Sequence, residues 1–287
     1  MLKDLSREGA HCSPCVLLLG GFDGLHVGHQ TLVDAALRFS LPVGITSISG
    51  GKPGGDVFTF PEREFIYLSS GISFVWEMTF SDELKNTAPE EFARRLFSAL
   101  DIKAVVCGDD FRFGKGASGS PEMLRKIAPC PVEVHELKRI NGEKIATSMV
   151  KKLLSEGSMS EVNALLPCGY FVQGTVEHGR RVGHTLGFPT LNLTFPPEKF
   201  PVMDGVYGGK AETSEGTFPA IVNFGARPTF GVTERKVEAY LDGFDGDLYG
   251  QSVRVYPEKF YRPVMKFADA DALRDQLKSD IERLRHD

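Results

Sequence analysis

The sequence predicts two domains in succession: an α/β layered domain built on a parallel sheet, then a small antiparallel β-barrel with a C-terminal helix. Three observations predict it. Up to about residue 165, short apolar runs alternate with segments of helical period, the pattern of βαβ units. After Pro167, glycine and proline become frequent, and short β-like runs recur between turn signals such as Asp242-Gly243 and Asp245-Gly246. Leu273, Leu277, Ile281 and Leu284 then share one face of a closing helix.

In chain order, residues 16–20 are expected as a short buried strand, followed by a glycine-rich turn. A helix is expected from Gly28 to Phe39, with Leu32, Ala35, Ala36 and Phe39 on one face. Pro42 to Ser47 reads as a strand, Ser49 to Gly55 as a loop, and Ile72 to Thr79 as a strand. Pro89 to Leu100 reads as a helix with proline just inside its start. Strands follow at Ala104–Cys107 and Val132–Leu137, then short helices at Ser148–Leu154 and Ser160–Leu165. The β-like runs of the second half are Tyr170–Val176, Val206–Ala211, Ala220–Phe224, Lys236–Leu241 and Ser252–Phe260, and the closing helix runs from Ala268 to Leu284. The domains are placed at 1–158 and 159–287, with no internal repeat.

Composition narrows the function. With 41% apolar residues, 25% charged residues and 21 Phe in 287 residues, the chain has ample core for folded domains. Its net charge of −5 argues against a nucleic-acid partner, which needs a broad basic surface, but leaves room for a local phosphate pocket. No apolar run approaches the ~18–20 residues of a membrane helix, and the charged first fifteen residues do not resemble a signal peptide. Five cysteines without framework spacing suggest a reducing cytoplasm. Cys12-Ser-Pro-Cys15 lacks a second ligand pair for zinc and is expected to be reduced thiols near a ragged N-terminus. Oligomeric state is left open, a homo-oligomer included.

Three motifs carry chemistry. Gly20-Gly-Phe-Asp-Gly-Leu-His-Val-Gly-His29 follows a strand and opens a helix, where free N–H groups and the helix dipole favour an anion. Gly28 lets phosphate approach the backbone, and His26 and His29 could stabilise charge during displacement at an α-phosphorus. The same residues would also serve as polar caps of an ordinary βα turn. Gly108-Asp-Asp-Phe-Arg-Phe-Gly-Lys-Gly116 follows another strand, and ligands of open α/β sheets bind at such strand ends. Its Asp110 could accept from a ribose or base, though solvated charge on a glycine turn is an adequate account of that stretch alone. In Gly183-His-Thr-Leu-Gly-Phe-Pro-Thr-Leu-Asn192, Thr190 and Asn192 face one side of an extended segment and offer hard oxygens to Mg²⁺ or phosphate. Glu238, on an expected strand, could take a proton from an alcohol, or could be one charge on an outer face.

In order along nearly the whole chain, these motifs, with Asn223-Phe-Gly-Ala-Arg-Pro-Thr-Phe230, Val-Glu-x-Tyr-Leu, Phe244-Asp-Gly-Asp-Leu-Tyr-Gly250 and Tyr261-Arg-Pro-Val-Met-Lys-Phe267, resemble the prokaryotic bifunctional riboflavin kinase/FMN adenylyltransferase (FAD synthetase) family. The resemblance implies a Rossmann-like nucleotidyltransferase domain followed by a six-stranded kinase barrel. It implies phosphorylation of riboflavin by ATP to FMN, then adenylylation of FMN by a second ATP to FAD and pyrophosphate. By resemblance Glu238 is the general base, Thr190 and Asn192 hold Mg²⁺–ATP, and His26 and His29 bind the other triphosphate. Gly20, Phe22, Asp23, Gly28, Asp110, Ser148, Lys151, Gly187 and Pro189 complete the implied ATP-binding set. The sequence departs from the family in three places. The usual Thr-Phe-x-Pro-His-Pro reads Thr46-Ser-Ile-Ser-Gly-Gly-Lys-Pro-Gly, the Arg of Ser-Ser-Thr-x-Ile-Arg is Lys151, and a usual Gly-Arg is Gly183-His184. Exchanging a bidentate guanidinium for a point charge is not neutral at a phosphate site. Two alternatives follow: a riboflavin kinase with a degenerate first domain, and a flavin-binding protein without turnover.

Overall fold

The structure is a computed structural model that describes residues 2–4, 14–49, 54–79, 81–140, 142–178, 188–229 and 232–287. By its internal contacts the chain divides into two units, Met1–Thr147 and Ser148–Asp287.

The first unit is an α/β layer. Its strands are β1 (Leu2–Asp4), β2 (Cys15–Leu19), β3 (Val43–Ser49), β4 (Phe74–Thr79), β5 (Ile102–Gly108) and β6 (Val132–His135), in the sheet order β1-β4-β3-β2-β5-β6. All pairs are parallel except the edge pair of β1 with β4. Every residue of β2 is at most 1% exposed, as expected of a strand covered on both faces. Each of its Val and Leu side chains contributes about 1.5–3 kcal/mol by leaving water. From β2 the chain moves outward through β3 and β4, then returns to the other side of β2 as β5. The strand order therefore reverses between β2 and β5, and the turns after Leu19 and Gly108 open side by side.

Helices α1 (Gln30–Leu37), α2 (Phe60–Ser69), α3 (Asp82–Asn86), α4 (Pro89–Ala99) and α5 (Pro121–Ile127) belong to this unit, with a short hairpin of β7 (Arg139–Ile140) and β8 (Glu143–Lys144). The expected helix at 28–39 is shorter, and Gly28 and His29 stay in the preceding turn with His29 as N-cap. The sequence reading assigned no element to the stretch that forms α2. That helix starts on a capping box, in which Thr59 N donates to Glu62 Oε2 at 2.7 Å. The N-terminus was expected to be ragged, but Leu2–Asp4 pairs with β4 and Cys15 is fully buried at the head of β2; Cys12 lies outside the described residues.

The second unit opens with α6 (Thr147–Glu156, its first residue belonging to the first unit) and α7 (Met159–Leu165). Its six antiparallel strands are β9 (Val172–Thr175), β10 (Thr190–Thr194), β11 (Gly205–Thr213), β12 (Gly216–Thr229), β13 (Val232–Leu241) and β14 (Ser252–Arg262). Their order is β10-β13-β12-β11-β14-β9. A bridge between Glu177 and Asn192, with Glu177 N donating to Asn192 O at 2.9 Å, brings the two edges together, so the sheet nearly closes on itself. Leu193, Tyr207, Val222, Phe224, Val237, Ala239 and Val255, all at most 1% exposed, fill the interior. The closing helix α8 (Ala270–His286) lies on the outer face, where Ile281 meets Val206 and Ile221. It is fixed by the buried pair of Arg262 with Asp280 (2.7 Å) and by a two-bond Arg285–Asp242 pair (2.7 and 2.8 Å).

Candidate functional site

Each unit carries a cleft where its motifs meet. In the first, Gly24 (φ 93°) and Leu25 (φ 44°) bend the chain after β2 through left-handed backbone. The bend is anchored from below. Asp23 is buried, its carboxylate accepting from Val57 N at 2.9 Å and Phe58 N at 3.1 Å, and Tyr67 Oη donates to the Phe22 carbonyl at 2.5 Å. Thr46 Oγ1 accepts from Gly20 N at 3.2 Å. On this frame the His26 and His29 rings stack with centroids 3.8 Å apart, and Phe22 meets His29 edge-on at 4.9 Å.

The resulting cleft, of about 330 Å³, is lined by Gly20, Phe22, His26, His29 and Asp110, together with Arg112 and Lys144. Lys144 pairs with Asp110 there, a contact that the sequence reading did not anticipate. An apolar cleft of about 300 Å³ adjoins it, sharing Gly20, Ile48, Phe111 and Arg112 and adding Met78, Phe92 and Phe113. Phe111 and Phe113 stack with centroids 5.5 Å apart, which gives that cleft a flat aromatic wall. Burial pushes the Cys107 thiol, at the end of β5, up to about 11, so it is no nucleophile at neutral pH.

Asp23 and Gly28, both expected at the nucleotide, are not among the lining residues; Asp23 holds the turn, and Gly28 leaves room for it. Ser148 and Lys151 belong to α6 in the second unit, where the Lys151 ammonium lies 5.3 Å from the Phe200 ring centroid. Gly187, with Gly183 and His184, lies outside the described residues.

In the second unit, the alternation of β10 turns Leu191 and Leu193 inward and leaves Thr190 and Asn192 on the outer face. Register then assembles a site from three strands. Asn192 pairs with Glu238, Thr190 with Tyr240, and Asn223 of β12 with Glu238 from the other side. Two clefts adjoin Thr190, and Asn192 lines neither. One, of about 190 Å³, lies under α8 and is lined by Thr190, Asn223, Glu238 and Tyr240 at one end and by Val206, Ile221, Met265, Phe267, Leu273 and Leu277 elsewhere. The other, of about 300 Å³, runs from Pro189 and Thr190 to the Phe244–Tyr249 turn, whose Tyr249 ring packs 4.0 Å from that of His178. Thr190 lines both.

Arg285 holds the Asp242 carboxyl below the usual carboxylate range, and burial, aided by Asp242, raises the Tyr240 hydroxyl. Among the described residues no cluster of three or more His, Cys, Asp or Glu could hold a metal ion. The sequence reading gave Asn223, Tyr240 and Arg262 no role. Asn223 sits beside Glu238 only through strand register, and the motif carrying it was its one sequence signal, whereas Tyr240 shares the Glu238 face by alternation along β13.

Comparison with known proteins bears on both units. A family model described as FAD synthetase matches residues 48–149, and one described as riboflavin kinase matches residues 166–286. Bifunctional riboflavin kinase/FMN adenylyltransferases are similar over most of their length. The Listeria monocytogenes protein is 28% identical over 94% of this chain and 91% of its own. The Bacillus subtilis protein is 28% identical over 92% and 90%, and that of Escherichia coli K12 is 28% identical over 97% and 93%. A crystal structure described as a macrolide-efflux protein from Streptococcus pneumoniae superposes with a TM-score of 0.86 at 28% identity, covering 99% of this chain and 97% of its own. Among the described residues of this chain, no helix is long and apolar enough to cross a membrane.

Proposed function

The chain belongs to the bifunctional riboflavin kinase/FMN adenylyltransferase family, and from that membership we propose that it makes FMN in its second domain (159–287) and FAD in its first (1–158). One observation carries the kinase assignment. Thr190 lines both the cleft at the Phe244–Tyr249 turn and the apolar cleft that holds Glu238, so a phosphoryl donor in one and an alcohol acceptor in the other meet at a single point. In-line phosphoryl transfer needs that meeting and charge neutralisation more than covalent help.

ATP lies along Pro189, Thr190 and the Phe244–Tyr249 turn, and the flavin ring enters the apolar space under α8. The 5′-hydroxyl of riboflavin attacks the γ-phosphorus of ATP. An O–P bond forms, the bond to the β-phosphate oxygen breaks, ADP leaves, and the hydroxyl proton passes to Glu238. Thr190 and Asn192 offer hard oxygens that fit Mg²⁺, which keeps most of its ligands from phosphate and water. When bound, the ion would neutralise phosphate charge.

In the first domain, FMN lies with its ring on Phe111 and Phe113 and its phosphate toward His26 and His29. A phosphate oxygen attacks the α-phosphorus of ATP, and pyrophosphate leaves. The two imidazoles and the start of α1 meet the charge that develops there. Asp110, steadied by Lys144, accepts from the nucleoside. The free thiols of Cys107 and Cys130 fit a reducing cytoplasm.

Incubating the protein with riboflavin, ATP and Mg²⁺ and separating the products tests the reading. FMN followed by FAD supports it. FMN alone selects the kinase with a degenerate first domain, the alternative that Lys151 in place of arginine and the missing Pro-His-Pro favour. Neither product leaves a binding protein. Glu238→Gln should lower FMN formation by about 10²–10⁴, and near-normal turnover would place the base elsewhere.

A further inference from the structure

We propose that Asn223 is a specificity-determining residue of the kinase reaction: its carboxamide oxygen accepts a hydrogen bond from an inner hydroxyl of the ribityl chain. The cleft under α8 thereby reads the polyol of its substrate as well as the ring. This rests on the riboflavin kinase reading above.

Asn223 lies within β12, between Val222 and Phe224, which are 0% and 1% exposed and point into the barrel. Alternation therefore turns Asn223 to the outer face, where it lines the cleft with Glu238 and Thr190. Its Oδ1 is sealed from solvent and accepts no hydrogen bond. Buried acceptors are nearly always satisfied, and one left open in a ligand cleft marks a place for a donor. Two neighbouring donors are engaged, Tyr240 Oη with Asp242 and the Arg262 guanidinium with Asp280. Much of the remaining wall is apolar, so the oxygen awaits a group that the substrate brings.

Geometry says which group. Asn223 and Glu238 are direct register partners on one face, and such pairs hold their Cβ atoms about 4.5–5.5 Å apart. A polyol whose terminal hydroxyl reaches Glu238 can present another hydroxyl to Asn223. A neutral amide suits the position, because a second carboxylate beside Glu238 would disfavour ionisation of the base. A site that hydrogen-bonds a substrate hydroxyl discriminates strongly against an analogue lacking it, since the analogue leaves the buried acceptor unpaired.

The test uses the full chain and reads FMN formation, so that flavin bound in the other domain does not contribute. Two quantities are measured: KM for riboflavin, and the competitive inhibition constant of lumiflavin, which has the same ring and a methyl group in place of the ribityl chain. The wild type should hold riboflavin at least about tenfold more tightly than lumiflavin. Asn223→Ala should raise the riboflavin KM by roughly 3–10-fold and leave the lumiflavin constant unchanged. A parallel loss for both flavins would make Asn223 a packing residue, and an unchanged riboflavin KM would likewise overturn the proposal. Should the variant not fold, the wild type alone decides, because equal affinity for the two flavins overturns it. A wild type that forms no FMN instead refutes the kinase reading.

Discussion

A methyl group at position 28 would sit 2.9 Å from His26 Nδ1 and 3.0 Å from the Ile145 carbonyl oxygen, closer than the turn can accommodate. Glycine there is what allows the two imidazoles to stack beside the start of α1. His29, the N-cap of that helix and a wall of the cleft, is proposed to meet developing negative charge. His29→Ala should lower FAD formation from supplied FMN by about 10²–10³ while riboflavin phosphorylation continues at its normal rate. Equal FAD yields from variant and wild type would remove the histidine from the mechanism. At this scale the sequence singled out His26, His29, Thr190 and Glu238, because each sits in a recognisable local string, and each lines a cleft of its unit. It was silent on Lys144, whose partner Asp110 is distant in sequence and reaches it only in the folded cleft.

Among the elements, α8 bears most directly on the kinase site. Its Leu273 and Leu277 line the apolar cleft proposed for the flavin, while Ile281 anchors it on Val206 and Ile221. The leucine stripe was legible as helical period. The polar fastening was not: Asp280 lies on the buried face of the helix, paired with Arg262 of β14 and accepting from Gln276 one turn earlier at 2.9 Å. Asp280→Ala leaves the mostly buried Arg262 guanidinium without its counter-charge and should cost about 3–5 kcal/mol of stability in the second unit. Thermal unfolding followed with the FMN assay checks this. A variant that melts with the wild type would mean that apolar contacts alone hold the helix. The overlooked α2 teaches the converse, since the Thr59-Phe-Pro-Glu62 capping box that starts it was readable.

For the molecule as a whole, the internal contacts divide between Thr147 and Ser148, whereas the change of sequence texture places the domain boundary at 158/159. The difference is α6, whose pattern does not say which neighbour it packs on. Each unit has its own core and its own cleft, so the two chemistries should be separable by mutation. Thr190→Ala should reduce kcat/KM for FMN formation by roughly tenfold or more, the scale of a lost hydrogen bond to a charged phosphate. Conversion of supplied FMN to FAD should not change. Parallel measurement of both products decides it, and equal losses in both reactions would refute the division of labour.

The sequence by itself determined the alternation of strands and helices in the first half, the β-rich second half, the amphipathic closing helix and the glycine turns with their histidines, but not β1, α2, α3 or α5. Those features follow from period, turn chemistry and short strings, which act over a few residues. Only the tertiary structure decided what stands beside them. It turned the strand order at β2 and β5 so that two glycine turns share one cleft, and it set β12, β13 and β10 in a register that puts Asn223, Glu238 and Asn192 in one row. It also laid α8 over β11 and β12, so that Leu273 and Leu277 join Asn223 and Glu238 in lining one pocket. Register and helix docking minimise the free energy of the whole sheet and its core, and a shift of one residue would turn every one of these side chains to the other face.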